Sequence, residues 1–136
     1  MITVTGAKGA AGNVKASPEN VAASLVGGFK SACPDTFAAQ GLGPAKFGEQ
    51  DAYVALTSCG RVKSSADKHS ETALIVAVKG SADYYTLQWA ERTPAVGKTS
   101  IDETKWVARL RQLQPIRLCR IVPGEQAPFP SCASRK

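Results

Sequence analysis

Three groups of residues in this chain have types that can do chemistry. Cys59, Asp67 and His69 lie close in sequence and supply a thiol, a carboxylate and an imidazole. From these a nucleophile, its base and the group orienting the base are built. Glu71, Asp83 and Glu91 flank two apolar stretches, and a facing pair of them would serve as general acid and base. Lys105, Arg109, Arg111, Arg117 and Arg120 form the densest basic run, with no acidic residue from Thr104 to Gly124. Such a run raises the local concentration of anionic partners.

Each group also has a plainer reading. His69 is the only histidine and lies in the most polar stretch, 63–70, where a solvated side chain is expected. The carboxylates read first as exposed charges at strand ends. The basic run is the expected binding surface, with a solvated face as the alternative. Tyr84 joins it as a candidate. Alternation along 84–92 puts Tyr85, Leu87 and Trp89 on a core face and Tyr84, Thr86, Gln88 and Ala90 on a mixed one open to a partner.

The four cysteines, Cys33, Cys59, Cys119 and Cys132, have no zinc-knuckle or C-x-x-C spacing. An even count in a small chain predicts two disulfides and an oxidising compartment. Of three pairings, Cys33–Cys59 with Cys119–Cys132 is preferred, because the second ties back a Pro-rich tail (Pro123, Pro128, Pro130) that has little else to hold it. Neither G-x-G-x-x-G nor G-K-[ST] occurs, and no cofactor or metal is expected.

The elements that must position these residues follow from periodicity. The 136 residues are 43% apolar and 21% charged, which excludes a wholly disordered chain and suits one domain. No apolar run is long enough for a membrane-spanning helix, and no repeat marks a solenoid. Residues 1–16 read as a flexible Gly/Ala-rich lead-in with an edge strand at Ile2–Thr5, and 17–136 as a single α+β domain with the Pro-rich tail. Ser17-Pro18-Glu19 starts a helix that Pro34 stops. Residues 34–50 read as a loop and 51–62 as a strand. The run 71–79 reads as a central strand covered on both faces, and 84–92 as its antiparallel hairpin partner. The S-x-x-E capping box at Ser100 predicts a helix over 101–113, with Arg109 and Arg111 pointing away from the Trp106–Leu110–Leu113 stripe. Ile116–Val122 alternates and reads as a last strand. The expected fold is α+β: an antiparallel sheet of about four strands with two helices on one face, in the order α-β-β-β-α-β.

The net charge of +6 comes entirely from residues 61–136. The opening Met1–Gly6 has no charged n-region and no apolar h-region. Together with the cysteines this places the chain in the periplasm or outside the cell, its signal peptide lying outside this sequence; a cytoplasmic protein with four thiols is the alternative. The expected function is that of a small exported, disulfide-bonded binding domain engaging an envelope protein or an anionic partner. A small hydrolase using the carboxylates around the 71–92 hairpin is the alternative. A nucleic-acid-binding module is the second. It is disfavoured because no basic Gly-rich loop leads into the second helix to clamp a phosphate backbone. Nothing in the sequence sets an oligomeric state.

Overall fold

The computed structural model describes residues 1–13, 15–62, 69–94, 101–119 and 122–133. Five strands form one antiparallel sheet: β1 (Ile2–Ala7), β2 (Phe37–Phe47), β3 (Gln50–Cys59), β4 (His69–Lys79) and β5 (Tyr84–Pro94). Their order across the sheet is β1-β5-β4-β3-β2. Helices α1 (Pro18–Ala32), α2 (Glu103–Leu113) and a single turn, α3 (Pro130–Ala133), complete the set, and the α+β class stands. No helix among the described residues is long and apolar enough to cross a membrane.

The sheet is organised around β4. Ala73, Leu74, Ile75, Val76 and Ala77 have no exposed surface, so this strand is covered on both faces. Alternation divides its side chains. Leu74, Val76 and Val78 join Val54, Leu56 and Trp106 in one cluster, with Leu87 and Trp89 half-buried against it. Ile75 and Ala77 join Ala55 and Ala22 in another, with Leu25 and Phe29 packed on it. The first cluster carries α2 and the second carries α1. The helices therefore lie on opposite faces of the sheet, not on one face as expected. A strand apolar on both sides exposes one side unless each is covered.

Three further expectations are corrected. The loop expected over 34–50 contains β2, paired with β3 from Phe37↔Cys59 to Phe47↔Gln50. Its glycines and Pro44 mark an edge strand instead of breaking it. The register shifts at a bulge between Gly41 and Gly43, and Pro is tolerated where one backbone edge has no partner. Gly48 takes φ 65° in the two-residue turn to β3, a conformation such turns require. The strand expected over 116–122 does not form over 116–119, while residues 120 and 121 lie outside the described ones. Ile116 and Leu118 do pack on the α2-side cluster, so their alternation records burial without a ladder. The open edge of β5 is taken by β1. Finally, the α2 N-cap is Asp102, whose carboxylate accepts from the Lys105 N–H at 3.1 Å, two residues beyond the expected capping box.

Both disulfides form in the preferred pairing, Cys33–Cys59 with Cα atoms 5.7 Å apart and Cys119–Cys132 at 5.6 Å. The first joins the C-cap of α1 to the end of β3. Opening it, as Cys33→Ser with Cys59→Ser, should lower unfolding free energy by about 3 kcal/mol in urea titration, because the unfolded chain regains the freedom of a long loop. A loss near zero would mean that the helix is held by packing alone. Thr57, fully buried, places Oγ1 on the α1 side of β3 with no hydrogen-bond partner among the described residues. An unpaired buried hydroxyl costs free energy, so Thr57→Val should stabilise the fold by about 1 kcal/mol in the same titration.

Candidate functional site

The carboxylates do not converge. In the β4–β5 register Glu71 faces Arg92 and Thr72 faces Glu91. Glu71 thus shares the α1 side with Ala73, while Glu91 shares the α2 side with Trp89. The two project from opposite faces of the sheet. The thiol–imidazole–carboxylate set is not assembled either. Cys59 is buried in its disulfide, and Asp67 lies outside the described residues.

Glu91 has a different role. On β5 it meets two cations from α2: Arg109 Nε at 2.5 Å and Lys105 Nζ at 3.3 Å. The Arg109 guanidinium also lies over both indoles, 5.3 Å from the Trp89 ring centre and 5.4 Å from that of Trp106. Trp106 and Arg109 are three apart on the helix and therefore neighbours, and a cation is attracted to an aromatic face. This corrects the expectation that Arg109 points outward: it turns back onto the sheet. Its hydrogen bond to Glu91, with help from Lys105 and against the cost of burial, holds the Glu91 carboxyl below the ordinary carboxylate range. A carboxylate so held stays ionised near neutrality and does not donate a proton. The cluster is a clamp fixing α2 to β5.

The remaining predicted site residues have other placements. Arg111 is exposed on α2. Arg117 donates from Nη1 to the Cys132 carbonyl at 3.0 Å, holding the segment that the second disulfide closes. Arg120 lies outside the described residues. Tyr84 is 1% exposed, and its hydroxyl donates to the Ala16 carbonyl at 2.9 Å. Burial, aided by Asp51, raises the Tyr84 pKa. Tyr84 thus anchors the start of the chain and is not on the surface. Among the described residues, Lys105 and Arg109 meet at Glu91 and share that one counter-charge.

A concave site lies elsewhere, in residues that composition did not single out. A cavity of about 510 Å³ opens between the start of α1 and the β2–β3 hairpin, lined by Ser17, Glu19, Lys46 and Tyr53 among others. A second, of about 230 Å³, lies between α1 (Glu19, Ala22, Val26) and β2 (Ala39, Gly41). Glu19 and Tyr53 border both, so the two adjoin and make a groove, divided at Tyr53, along the helix and the edge strand. A Cβ on Gly41 would stand 2.5 Å from the Tyr53 hydroxyl oxygen, so Gly41 makes room for that ring between the hollows. Lys46 is paired with Asp51 at 3.0 Å. That leaves Glu19, exposed and with no ion pair among the described residues, as the unbalanced charge of the groove. The signals were present as Gly41, Pro44 and Tyr53, but they act only once β2 is known to be a strand beneath a helix.

The clamp has a pH signature. A carboxyl whose folded-state pKa is depressed contributes stability above its unfolded pKa, about 4.3, and that contribution is lost as pH falls through the folded value. Glu91→Gln should therefore cost about 1 kcal/mol at pH 7 and progressively less below pH about 4, measured by urea unfolding across pH. A cost independent of pH would show that the charge of Glu91 is not what holds α2.

No family model, curated protein or solved structure matches the chain.

Proposed function

We propose that this chain is an exported, disulfide-bonded binding domain that engages an extended segment of another protein in the groove between α1 and β2. The observation that carries the reading is the juxtaposition of a sheet edge, unpaired among the described residues, with a helix across two adjoining hollows. The hollows select side chains, and the edge beside them keeps some main-chain groups within reach of a short extended segment, although the bulge at Gly41/Gly43 and Pro44 interrupt any continuous ladder. Here the walls are small and apolar (Ala22, Ala39, Gly41), the ring of Tyr53 stands between the two hollows, and Glu19 sits where both meet. The chemistry fits a partner with small apolar side chains in extended register and a Lys or Arg placed to reach Glu19.

The two disulfides support the export part of this reading, since such bonds persist in oxidising compartments. The anionic-partner reading has less beneath it, because Lys105 and Arg109 already share the charge of Glu91. The hydrolase reading lacks its carboxylate pair, for Glu71 and Glu91 leave opposite faces.

The test is selection of random decapeptides on the oxidised full chain, followed by titration of the selected sequences. Selected peptides should be rich in Lys or Arg flanked by small apolar residues. Glu19→Gln should weaken them at least about tenfold and lower thermal stability only slightly, since Glu19 is exposed and loses only its favourable first-turn charge. Glu49→Gln, in the β2–β3 turn and outside the groove lining, should have little effect. Failure to select any sequence, or equal loss in both variants, overturns the reading.

A further inference from the structure

The two edges of the sheet are built differently. At β2 the edge is blunted by a bulge at Gly41/Gly43, by Pro44 and by Lys46, devices that discourage pairing with another strand. At β1 none is present. Ile2–Ala7 reads ITVTGA, with no charge, no proline and no bulge, and every one of its residues is exposed. Ile2 is 51% and Val4 66% exposed, large values for branched apolar side chains within a strand.

The backbone of β1 has a definite phase. Met1 N donates to the Ala90 carbonyl and Ala90 N donates to the Met1 carbonyl, both at 2.8 Å. In an antiparallel ladder, pairs that exchange both bonds alternate with pairs that exchange none. Thr3, Thr5 and Ala7 therefore turn their N–H and C=O groups toward β5, like Met1. Ile2, Val4 and Gly6 turn theirs outward, where no further strand among the described residues pairs with the sheet. All three outward residues share the face of Tyr85, Leu87 and Trp89, which stand opposite them in the register.

We infer that β1 is a self-association edge, and that its partner is β1 of a second copy of this chain. The strand is complementary to itself. A two-fold axis through Val4 sets Val4 against Val4 of the second copy, and Ile2 against Gly6 in both directions. Each of these pairs has its backbone groups pointing across the junction, giving about six hydrogen bonds and no unmatched group. The axis keeps the faces in common, so the two Val4 side chains meet. Each Ile2 crosses to Gly6, where the absence of a side chain leaves the Tyr85 ring as its contact; a Cβ on Gly6 would lie 3.6 Å from that ring. With no charge in Ile2–Ala7, self-pairing sets no like-charged side chains against each other within the strand, although each chain carries +6. The result is one ten-stranded antiparallel sheet with the guarded β2 edges at its two ends. This surface is separate from the groove and stands independently of what the groove binds.

Sedimentation velocity on the oxidised full chain over a dilution series tests this, together with residue-resolved amide exchange. The wild type should pass from 14.3 kDa toward twice that mass as concentration rises. The amides of Ile2, Val4 and Gly6 should slow at least about tenfold in the associated state, while those of Thr3 and Thr5 are protected at every concentration. Val4→Lys should remain at the monomer mass, because two ammonium groups would meet at the axis. Should that variant fold poorly, Val4→Pro removes only an outward N–H, leaves the bonds to β5 in place, and should also be monomeric. A wild type that stays monomeric at millimolar concentration overturns the inference. So does an associating wild type whose Val4 amide exchanges at the same rate at all dilutions.

Discussion

The structure depends on a strand that has no solvent face. From Ala73 to Ala77 β4 is fully buried, and a strand apolar on both sides is stable only when the sheet around it is covered twice. Everything else answers that demand. β3 and β5 flank it and carry the same alternation outward. One helix covers each face: α1 over Ala55, Ile75 and Ala77, and α2, through Trp106, over Val54, Leu56, Leu74 and Val76. Two helices on one face would have left a row of aliphatic side chains in water, at a cost of roughly 2 kcal/mol for each large one.

The two covers are fastened by different means. The end of α1 is tied covalently, since its C-cap Cys33 is bonded to Cys59 on β3. The far end is set by Ser17, whose hydroxyl accepts from the Asn20 N–H at 3.1 Å. The α2 side relies on packing and charge. Trp106 is buried, and Arg109 lies over two indoles while paired with Glu91. This explains why Lys105, Arg109 and Arg117, though close in sequence, do not present their charge freely to solvent. Part of it serves as a fastener between helix and sheet, and Arg117 serves as another within the C-terminal segment. An arginine stem packs well while its head remains hydrogen-bonded, and this suits it to such positions.

Covering the middle of the sheet leaves its ends. At one end the helix overhangs an edge strand whose small residues hollow out a groove; at the other, an uncharged strand with exposed Ile2 and Val4 lies beyond the reach of the main core. The groove and the bare strand edge thus arise at the margins of the fold, largely from glycines and alanines, and away from the cysteine, histidine and paired carboxylates that first draw the eye.

The local pattern of the sequence was enough for several elements. The first helix was legible from Ser17-Pro18-Glu19, because cap and proline act within a few residues. The β4–β5 hairpin was legible from its apolar run and alternation. The disulfide pairing was legible because chain proximity and the need to hold the tail point the same way. What tertiary structure decided was everything that depends on distance along the chain. Alternation at Ile116 and Leu118 states only that those side chains pack against the core; whether a ladder forms depends on reaching a free edge, and the edge of β5 is held by β1. Gly41 and Pro44 read as a loop because local propensity counts against a strand, yet pairing with β3 overrides propensity at an edge. Arg109 read as outward because a helical wheel has no knowledge of Glu91 and Trp89 on a strand that folds beneath it. The assignment of each helix to its own face was implicit in the doubly apolar β4 and became explicit only in the packing, since burial on two sides is a property of the assembled layers and not of any one segment.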